Sequence, residues 1–510
     1  MSQKQRIEIC PGEVWYGLCV EDGVCMPITS QKSYARELTP NTTVNGAAGV
    51  LLSSDGRYLY SPGSVAVHVQ NGILEMDSPD AEVFAGKGGK TLRDAWMALI
   101  REHLPVSGET PPDLFFTAPQ YNTWIELLYH QSQEGVLQYA RDLINQGYPP
   151  GVLMIDDGWM QDYGVWEFRP DAFANPRSMV DQLHAMGFRV MLWVCPFVSA
   201  DSPVFRALSS TSALLKNADG EPAVRCWWNG YSAVLDLSSP VAQDWLHGRL
   251  KRLMDEFGID GFKLDAGDAR FYRDDDQSAG QVSANEQSSL WAVVGLRYPY
   301  NELRACYGMS NAPLVHRLAD KNHSWDDKGM RSLVPNTLMQ GLLGYPFGCP
   351  DMIGGGEYAN FMENSERLDQ ELFVRYAQCA ALLPMMQFSA APWRVLDEEH
   401  AALCKQAALL RRKYGGRILQ LAWHAAQTGD PIARCMEYAF PHQGLERVLD
   451  QFMLGEDYLV APVLTRGSRE RSVMLPRGRW KYMDGMLYEG GVTVRVHAEL
   501  DELPIFERIV

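Results

Sequence analysis

The sequence is poor in the groups that usually hold transition metals. It has 11 His and 10 Cys in 510 residues, with no C-x-x-C pair and no H-E-x-x-H segment. Because those spacings gather thiolates or imidazoles around zinc, their absence argues against a zinc or redox site, and we expect neither a metal nor another cofactor. Scattered cysteines of this kind indicate reduced thiols, which predicts a cytoplasmic location.

Long apolar runs and excess positive charge are also absent. No stretch of about eighteen uninterrupted apolar residues occurs, so we expect no membrane association. The segment from Met1 to Cys10 lacks the charged start and apolar run of a secretory signal. Lys plus Arg number 46 against 63 for Asp plus Glu, a net charge of -17. Such a surface repels phosphate backbones, which excludes nucleic acid as the expected partner.

The composition is otherwise that of a folded globular protein, 46% hydrophobic and 11% aromatic. At about 150 residues per domain the length suggests roughly three domains. The 14 Trp and 22 Tyr suit flat, apolar-faced ligands such as sugars, although core packing accounts for most of them.

Both ends of the chain show the pattern of short β-strands. Residues 65–69 alternate in polarity and lead into Asn71-Gly72, a strong hairpin signal because both turn residues must tolerate positive φ. Turns at residues 476–478, 484–485 and 490–491 separate similar runs near the C-terminus. We predict a β-sandwich domain over residues 1–115 and another over residues 406–510.

The middle of the chain alternates strand and helix patterns. The apolar run at residues 152–155 is followed by Asn175-Pro176, which caps and starts a helix that stops at Gly187. Ser239-Pro240 and Gly258 bound a second helix before a strand at residues 261–265. No Gly-rich phosphate loop follows the early strands, which disfavours a dinucleotide fold. The α/β pattern predicts a (β/α)8 TIM barrel over residues 116–405.

Carboxylates follow several of these strand-like runs. In a barrel the carboxyl ends of the strands form the active site, so these side chains are expected to converge with nearby tryptophans. This arrangement leaves open either glycoside hydrolysis by a carboxylate pair or a site for a hard metal ion. The residues concerned are Asp156, Asp157, Asp236, Asp265, Asp320 and Asp351, with Trp159, Trp193, Trp227 and Trp228.

Four longer segments resemble glycoside hydrolase family 31, the α-glucosidase and α-galactosidase family. They are residues 262–268 (FKLDAGD), 344–355 (GYPFGCPDMIGG), 383–386 (LPMM) and 459–464 (LVAPVL). Within the family, residues 227–230 (WWNG), 329–335 (GMRSLVP) and 388–394 resemble most the myogenesis-regulating glycosidase branch. The resemblance runs from about residue 120 to 480, and its order and spacing agree with the family.

The resemblance implies a retaining α-glycosidase with Asp265 as the nucleophile after the fourth barrel strand. Lys263, two residues earlier on the same strand face, is a plausible positive neighbour. The family places an Arg sixteen residues before the acid/base Asp, and Arg304 stands sixteen before Asp320. Burial is expected to keep Asp320 protonated at first. Asp327 is the competing candidate, because it lies fourteen residues before Gly341, as in the maltase branch.

The same resemblance implies contacts to the bound sugar. Asp156 and Asp351 correspond to ligands of sugar hydroxyls, Trp193 and Trp228 to pocket walls, and Arg304 to a guanidinium that orients carboxylate and hydroxyls. Asp157, which could instead cap a turn, and Trp227 complete the set of substrate-binding candidates. Asp236, Asp268 and His323 are interpreted as supporting or structural residues.

The residues after the eighth predicted strand depart from the glucosidase pattern. Family α-glucosidases place an Arg and a His there, whereas this chain has residues 386–389 (MQFS). The missing imidazole argues against a preference for glucose. The nearer branch shares this loss and is associated with α-galactosides, so the resemblance implies terminal α-galactosides, cleaved in exo fashion from a small oligosaccharide or glycoside. The alternatives are an α-glucosidase or transglycosidase of the family, a melibiase-type α-galactosidase, and a non-catalytic carbohydrate-binding relative. Linkage, aglycone and oligomeric state, including a homo-oligomer, stay open.

Overall fold

The computed structural model describes residues 3–509. Met1 and Ser2, part of the segment read for a secretory signal, lie outside the described residues. No helix within the described range has the length and apolar character needed to cross a bilayer.

The N-terminal part of the chain forms two antiparallel sheets and one helix. Its elements are β1 (Gln3–Glu8), β2 (Val14–Cys19), β3 (Ile28–Thr29), β4 (Tyr34–Leu38), β5 (Ala47–Ser53), β6 (Arg57–Ser61), β7 (Val65–Gln70), β8 (Ile73–Ser78), β9 (Phe84–Lys87) and α1 (Leu92–Glu102). One sheet has the order β1-β8-β7-β4 and the other β3-β2-β5-β6-β9. The predicted hairpin joins β7 to β8 through Asn71 (φ 51°) and Gly72 (φ 74°), both in the left-handed region.

The central part contains the barrel and its insertions. Its elements are α2 (Leu114–Thr117), β10 (Gln120–Asn122), α3 (Trp124–Leu127), α4 (Gln133–Asn145), β11 (Val152–Ile155), α5 (Pro176–Ala185), β12 (Arg189–Val194), β13 (Phe197–Ser199), α6 (Pro203–Leu208), β14 (Val224–Trp227), β15 (Gly230–Val234), α7 (Pro240–Phe257), β16 (Gly261–Leu264), α8 (Ala284–Gly295), β17 (Tyr300–Leu303), β18 (His316–Arg317), α9 (Leu333–Leu342), β19 (Gly348–Cys349), α10 (Tyr358–Asn364), α11 (Gln370–Ala381), β20 (Gln387–Phe388), α12 (Pro392–Val395) and α13 (Glu398–Thr428). Short 3₁₀ turns occupy Val20–Cys25, Ala269–Phe271, Met330–Ser332 and Ser365–Arg367.

Eight parallel strands form the predicted barrel. Their order is β19-β18-β17-β16-β12-β11-β10-β20, and the ring is drawn together where the Ile353 N–H donates to the Gln387 carbonyl at 2.8 Å. β16 is therefore the fourth strand, as predicted. Because parallel strands point the same way, the residues that follow them meet at one end of the barrel.

Helix termini within the barrel follow the predicted signals. The Asn175 side chain caps α5 by accepting from the Ser178 N–H, and Pro176 opens that helix. α7 ends at Gly258, whose φ of 78° is left-handed. Between β12 and α7, the strands β13, β14 and β15 form a separate antiparallel sheet, whose β14–β15 hairpin lies beside the barrel mouth.

The C-terminal part is rich in antiparallel sheet and has its own apolar core. It comprises β21 (Ala433–Arg434), α14 (Met436–Ala439), β22 (Phe452–Leu454), β23 (Tyr458–Val460), β24 (Glu470–Leu475), β25 (Arg479–Tyr482), β26 (Leu487–Glu489), β27 (Val492–His497) and β28 (Ile505–Ile509). The six-stranded sheet runs β21-β22-β23-β28-β25-β26, and β24 pairs with β27.

The predicted boundary between residues 405 and 406 falls inside α13. This 31-residue helix is continuous and packs against α11 and α2 of the barrel. It ends at Gly429, whose φ of 78° is left-handed. We therefore propose Gly429 as the start of the C-terminal domain.

Candidate active site

A cavity of about 440 Å³ opens at the carboxyl ends of the barrel strands. Eight of the ten predicted site residues line it, and the two others, Trp227 and Asp351, do not. The lining residues from the prediction are Asp156, Asp157, Trp193, Trp228, Lys263, Asp265, Arg304 and Asp320. Asp156 and Asp320, 164 positions apart in sequence, thus face one space because each follows a different strand of the same barrel.

Asp265 lies directly after β16 and is held by three donors. Its carboxylate accepts from the Arg304 Nε at 3.0 Å, the Ala266 N–H at 2.8 Å and the Trp193 Nε1 at 3.1 Å. Burial alone would raise the pKa of Asp265, but the charges of Arg304, Lys263 and Arg317 outweigh it and hold the pKa well below its ordinary value. Asp265 is therefore an ionised carboxylate at neutral pH.

The guanidinium of Arg304 contacts two carboxylates, those of Asp265 and Asp268. Its fork is bidentate to Asp268, with Nη1 to Oδ1 at 2.9 Å and Nη2 to Oδ2 at 2.8 Å, while Nη1 also donates to the Val44 carbonyl. Together with the bond from Nε to Asp265, these contacts use four of the five N–H donors of the guanidinium, and one Nη2 N–H remains for a sugar hydroxyl. Arg304 orients Asp265 through its Nε. Asp268 is buried and holds the Arg304 guanidinium in place.

Lys263 is a positive neighbour of Asp265 and pairs directly with Asp156. Its ammonium donates to Asp156 Oδ2 at 2.6 Å, and both side chains are buried. Although burial opposes the charged amine, the carboxylates of Asp156, Asp265 and Glu302 raise the pKa of Lys263 above its ordinary value. The direct cationic partner of Asp265 is Arg304, and Lys263 acts on Asp265 only through its charge.

The carboxyl group of Asp320 is exposed, which corrects the expectation that burial keeps it protonated. Its side chain is 41% exposed and accepts from the Arg317 Nη1 at 2.7 Å. The rival Asp327 is 57% exposed and pairs with Arg331 at 3.6 Å, outside the residues that line the cavity. Of the two candidates, only Asp320 shares the cavity with Asp265.

Arg317, which sequence reasoning did not select, organises the acidic groups beneath the cavity. This buried side chain contacts Asp320 at 2.7 Å, Asp351 at 2.5 Å and Glu302 at 3.4 Å. The signal available was its position three residues before Asp320 in the strand-like run that ends there. A buried cation among three carboxylates is needed because an unpaired buried charge is strongly destabilising.

Asp351 lies below the cavity and not in its wall, contrary to the prediction. It is fully buried, and its oxygens accept from Arg317, the Lys321 N–H at 2.7 Å and the Gly356 N–H at 3.2 Å. Burial raises the pKa of Asp351 to about 7; Arg317 opposes that rise and Asp320 adds to it. With its acceptors used inside the protein, Asp351 holds the loop after β19 in place.

The β14–β15 hairpin separates the two adjacent tryptophans of the predicted set. Trp227, the last residue of β14, is buried, stacks on Phe197 at 4.4 Å between ring centroids and donates to Ser232 at 3.1 Å. Trp228 occupies the tip, is 47% exposed and lies 5.8 Å from the Arg304 guanidinium. Trp227 therefore supports the hairpin, and only Trp228 faces the cavity.

Asn229, also at the hairpin tip, links two loops across the site. It donates to Asp157 Oδ2 at 2.6 Å and accepts from the Tyr129 hydroxyl at 2.9 Å. Asp157 also accepts from the Tyr163 hydroxyl at 3.1 Å. Burial, followed by the charge of Asp156, raises the pKa of Asp157 to about 7. Asn229 lies within the quoted WWNG segment, but no spacing argument singled it out.

Several further lining residues were not among the predicted site residues. Val44 comes from the loop between β4 and β5 of the N-terminal sheets, some 220 residues before Asp265, and an aliphatic loop residue carries no mark of function. The others are Trp124, Tyr129, Arg270, Ala319, Met352, Glu357, Tyr358 and Ala359. Trp124 and Tyr129 follow β10, which at three residues is too short to show a period.

The side chains at the end of the eighth barrel strand, β20, form hydrogen bonds within the protein. Gln387 Nε2 donates to Glu302 Oε2 at 2.7 Å, and the Ser389 hydroxyl accepts from the Ile125 N–H at 2.7 Å. Both side chains are buried and neither lines the cavity. His323 and Asp236, interpreted as structural, also bond within the protein: His323 to the Gly354 carbonyl, Asp236 to Ser238 and Gln287.

The arrangement supports acid/base and nucleophilic chemistry by carboxylates. One ionised carboxylate, Asp265, and one solvent-accessible carboxylate, Asp320, share a cavity with aromatic rings. Across residues 3–509, no three His, Cys, Asp or Glu side chains are grouped so as to hold a metal ion.

Comparison with protein families gives two consecutive matches. A model described as "Glycosyl hydrolases family 31 TIM-barrel domain" matches residues 111–414, and "Glycosyl hydrolase family 31 C-terminal domain" matches residues 429–509. The chain belongs to glycosyl hydrolase family 31. This confirms the resemblance stated from the sequence motifs, and the second match begins at the glycine that ends α13.

Individual relatives agree with this membership. The chain is 34% identical over 421 residues to "Myogenesis-regulating glycosidase" of Mus musculus, covering 80% of this chain and 58% of the relative. It is 26% identical to "Alpha-xylosidase" of Emericella nidulans, covering 89% and 60%. The chain thus spans about three fifths of the length of these relatives.

A solved structure shows the same fold. The dextranase of this family from Flavobacterium johnsoniae superposes with a TM-score of 0.87 at 19% identity, over 99% of this chain and 66% of that chain. The similarity covers the barrel together with both flanking sheet-rich parts, so the predicted architecture is confirmed.

Proposed function

We propose that this family 31 protein is a retaining α-glycosidase with Asp265 as nucleophile and Asp320 as acid/base. The observation that carries the proposal is the single cavity in which Asp265, held ionised by Arg304, faces the same space as accessible Asp320. A retaining mechanism needs an ionised nucleophile and a second carboxyl group across the scissile bond, about 5–5.5 Å away.

Each carboxyl group has a distinct task in the two steps. In the first, an Asp265 oxygen bonds to the anomeric carbon while the bond to the leaving oxygen breaks, and that oxygen takes the proton of Asp320. In the second, the Asp320 carboxylate removes a proton from water as the water oxygen attacks the anomeric carbon and releases Asp265. Two inversions leave the anomeric configuration unchanged.

The remaining cavity residues fit recognition of a single sugar. Asp156, held by Lys263, and Asp157 offer carboxylate oxygens to hydroxyl groups. The indoles of Trp193 and Trp228 offer apolar faces beside Asp265 and Arg304. A substrate held this way presents its terminal residue to Asp265, which is exo cleavage.

Terminal α-galactosides are our proposed substrates. The support is the end of β20, where Gln387 and Ser389 bond internally and leave no imidazole of the kind that glucosidases of the family place there. An α-glucosidase is the second candidate, and transfer to a sugar acceptor would use the same covalent intermediate.

The decisive experiment follows hydrolysis of 4-nitrophenyl α-galactoside and α-glucoside, with the anomer first released identified by NMR. For the wild type we expect release of the α-anomer and faster hydrolysis of the galactoside than of the glucoside. Asp265→Ala should lose activity by at least about a thousandfold, and azide should restore activity to Asp320→Ala. Asp327→Ala, an exposed carboxylate outside the cavity, is the matched control and should retain activity. Release of the β-anomer, or full activity of Asp265→Ala, would refute the mechanism.

We further propose that the protein acts in the cytoplasm. All ten cysteines lie within the described residues and are free thiols, and Cys10, Cys25 and Cys226 are exposed. Exposed thiols persist in a reducing compartment. Cell fractionation that finds the protein elsewhere would contradict this.

A further inference from the structure

Three aromatic side chains pack together on one wall of the cavity. The ring of Trp124 lies 5.3 Å from that of Tyr129 and 5.7 Å from that of Tyr358, and the two tyrosine rings are 6.1 Å apart. Trp124 is the first residue of α3, Tyr129 lies two residues after the end of that helix, and Tyr358 is the first residue of α10. We call these three residues the aromatic cluster.

The aromatic cluster lies against Asp320. Gly356 is so close to Asp320 that a Cβ at this position would be 3.2 Å from Asp320 Oδ1. Trp124 Nε1 donates to the carbonyl of the same glycine at 3.0 Å, and Tyr358 follows two residues later. Trp193 and Trp228 contact other groups of the site: Trp193 donates to Asp265 at 3.1 Å, and Trp228 lies over the Arg304 guanidinium.

The surface of the cluster is partly free and carries no charge. Tyr129 is 39% exposed and Tyr358 is 37% exposed, and both line the cavity. The neighbouring Glu357 uses a carboxylate oxygen to cap α10 through the Asn360 N–H at 2.7 Å. Exposed aromatic faces of this kind bind flat, uncharged rings with apolar faces.

We propose that the aromatic cluster is the leaving-group subsite and that it takes an uncharged ring, a pyranose or an aryl group. This rests on the proposed function, since the acid that protonates the scissile oxygen must lie beside the departing group. That group is bound only until the bond between the anomeric carbon and its oxygen breaks and the oxygen receives the proton of Asp320. The second step, attack of water on the Asp265 ester, proceeds without it.

Hydrolysis of an α-glycosyl fluoride measures the activity of the rest of the site without a contribution from the subsite. The fluoride carries the same sugar but a single-atom leaving group, which is too small to contact the rings. The measured quantity is the ratio of kcat/KM for a ring-bearing substrate to kcat/KM for the fluoride. Because both values come from the same preparation, loss of folded protein cancels from the ratio.

We expect Tyr358→Ala to lower this ratio about tenfold, the effect of one aromatic stacking contact. Tyr358→Phe, which retains the ring, should restore the ratio. The matched control is Tyr231→Ala on β15, since Tyr231 is 70% exposed and does not line the cavity. Its ratio should equal that of the wild type. If Tyr358→Ala is insoluble, Tyr358→Leu replaces it with the same expected fall.

Two ring-bearing substrates distinguish the source of the ring. They are a disaccharide with an α-linked terminal sugar and the 4-nitrophenyl glycoside of that sugar; a larger fall for one of them identifies the preferred ring. An unchanged ratio for both in Tyr358→Ala would overturn the subsite. If the wild type hydrolyses neither the fluoride nor the ring-bearing glycosides, the proposed function fails, a result distinct from failure of the subsite.

Discussion

Two neighbouring carboxylates after β11 end in different environments. Asp156 is paired with the buried ammonium of Lys263, whereas Asp157 accepts from the neutral groups of Tyr163 and Asn229. Burial and the adjacent Asp156 therefore raise the pKa of Asp157 from 3.8 to about 7. Adjacent strand-end residues point to different sides, which is why one identical side chain gains a cation and the next does not.

This difference predicts a pH-dependent effect of Asp157→Asn on stability. Between about pH 4 and pH 7 the unfolded state loses the Asp157 proton while the folded state keeps it, so folding loses free energy as pH rises through that window. An amide has no such proton. The free energy of unfolding gained by the variant should be about 2–3 kcal/mol larger at pH 8 than at pH 5, measured by urea unfolding.

Asp162→Asn is the control for this measurement, because Asp162 is exposed on the following loop. It should change the unfolding free energy by less than about 0.5 kcal/mol at both pH values. A pH-independent effect of Asp157→Asn would show that Asp157 is ionised throughout this range.

Among the single residues of the site, those that follow regular strands could be predicted from the sequence. Asp265 ends a run whose apolar pattern marks a buried parallel strand, whereas Asp320 was selected by its spacing from Arg304. The sequence could not show which of Trp227 and Trp228 faces the cavity, because the turn of the β14–β15 hairpin decides the direction of each ring. Val44 reaches the site through the packing of the N-terminal sheets on the barrel, a contact that no local pattern encodes.

Among the elements, long helices with capping signals could be predicted and short strands could not. α5 and α7 each have a proline in the first turn and an apolar stripe, and both begin and end where the sequence signals predict. Only α5 is capped by a side chain, because Ser239 makes no cap hydrogen bond to α7. β18, β19 and β20 are two residues each, too short for a period of two to appear. Their places in the barrel follow from closure of the sheet.

Alanine substitution should have opposite effects on stability at two glycines, one within α7 and one at its C-terminal end. Gly258 ends the helix at a φ of 78°, so Gly258→Ala should lower the free energy of unfolding by about 1 kcal/mol. Gly248 is exposed within the helix, and no atom lies within 4 Å of an added Cβ. Gly248→Ala should therefore raise the free energy of unfolding by about 0.5–1 kcal/mol.

Urea unfolding of both variants at one pH checks this pair. A loss in Gly248→Ala as large as that in Gly258→Ala would mean that the backbone of α7 differs from the helix described here.

For the whole molecule, the barrel carries the candidate active site and both flanking parts are packed onto it. On the N-terminal side, the Val44 carbonyl accepts from Arg304 and Asn45 Oδ1 accepts from the Ala319 N–H at 2.7 Å, so this part completes the wall of the cavity. On the C-terminal side, the buried guanidinium of Arg375 in α11 reaches the loop before β28. It donates to the carbonyls of Ala498, Glu499 and Glu502 at 2.7–3.0 Å.

Arg375→Met should loosen the C-terminal domain first. The variant removes the guanidinium from these three carbonyls, of which, within residues 3–509, only that of Glu499 also accepts from a backbone N–H, that of Glu502 at 2.9 Å. Hydrogen bonds from a charged group contribute about 1.5–3 kcal/mol each, so we expect the free energy of unfolding of this domain to fall by about 3 kcal/mol or more. Hydrogen exchange followed by mass spectrometry should show faster exchange in β28 and β25 than in barrel strands such as β16.

Arg495→Met is the matched control, since Arg495 is 74% exposed and pairs with Glu470 at 2.8 Å. It should leave exchange unchanged because exposed ion pairs contribute little. Equal acceleration in β16 and β28 would mean that the two parts unfold as one unit, and unchanged exchange in β28 would mean that Arg375 does not hold the domain.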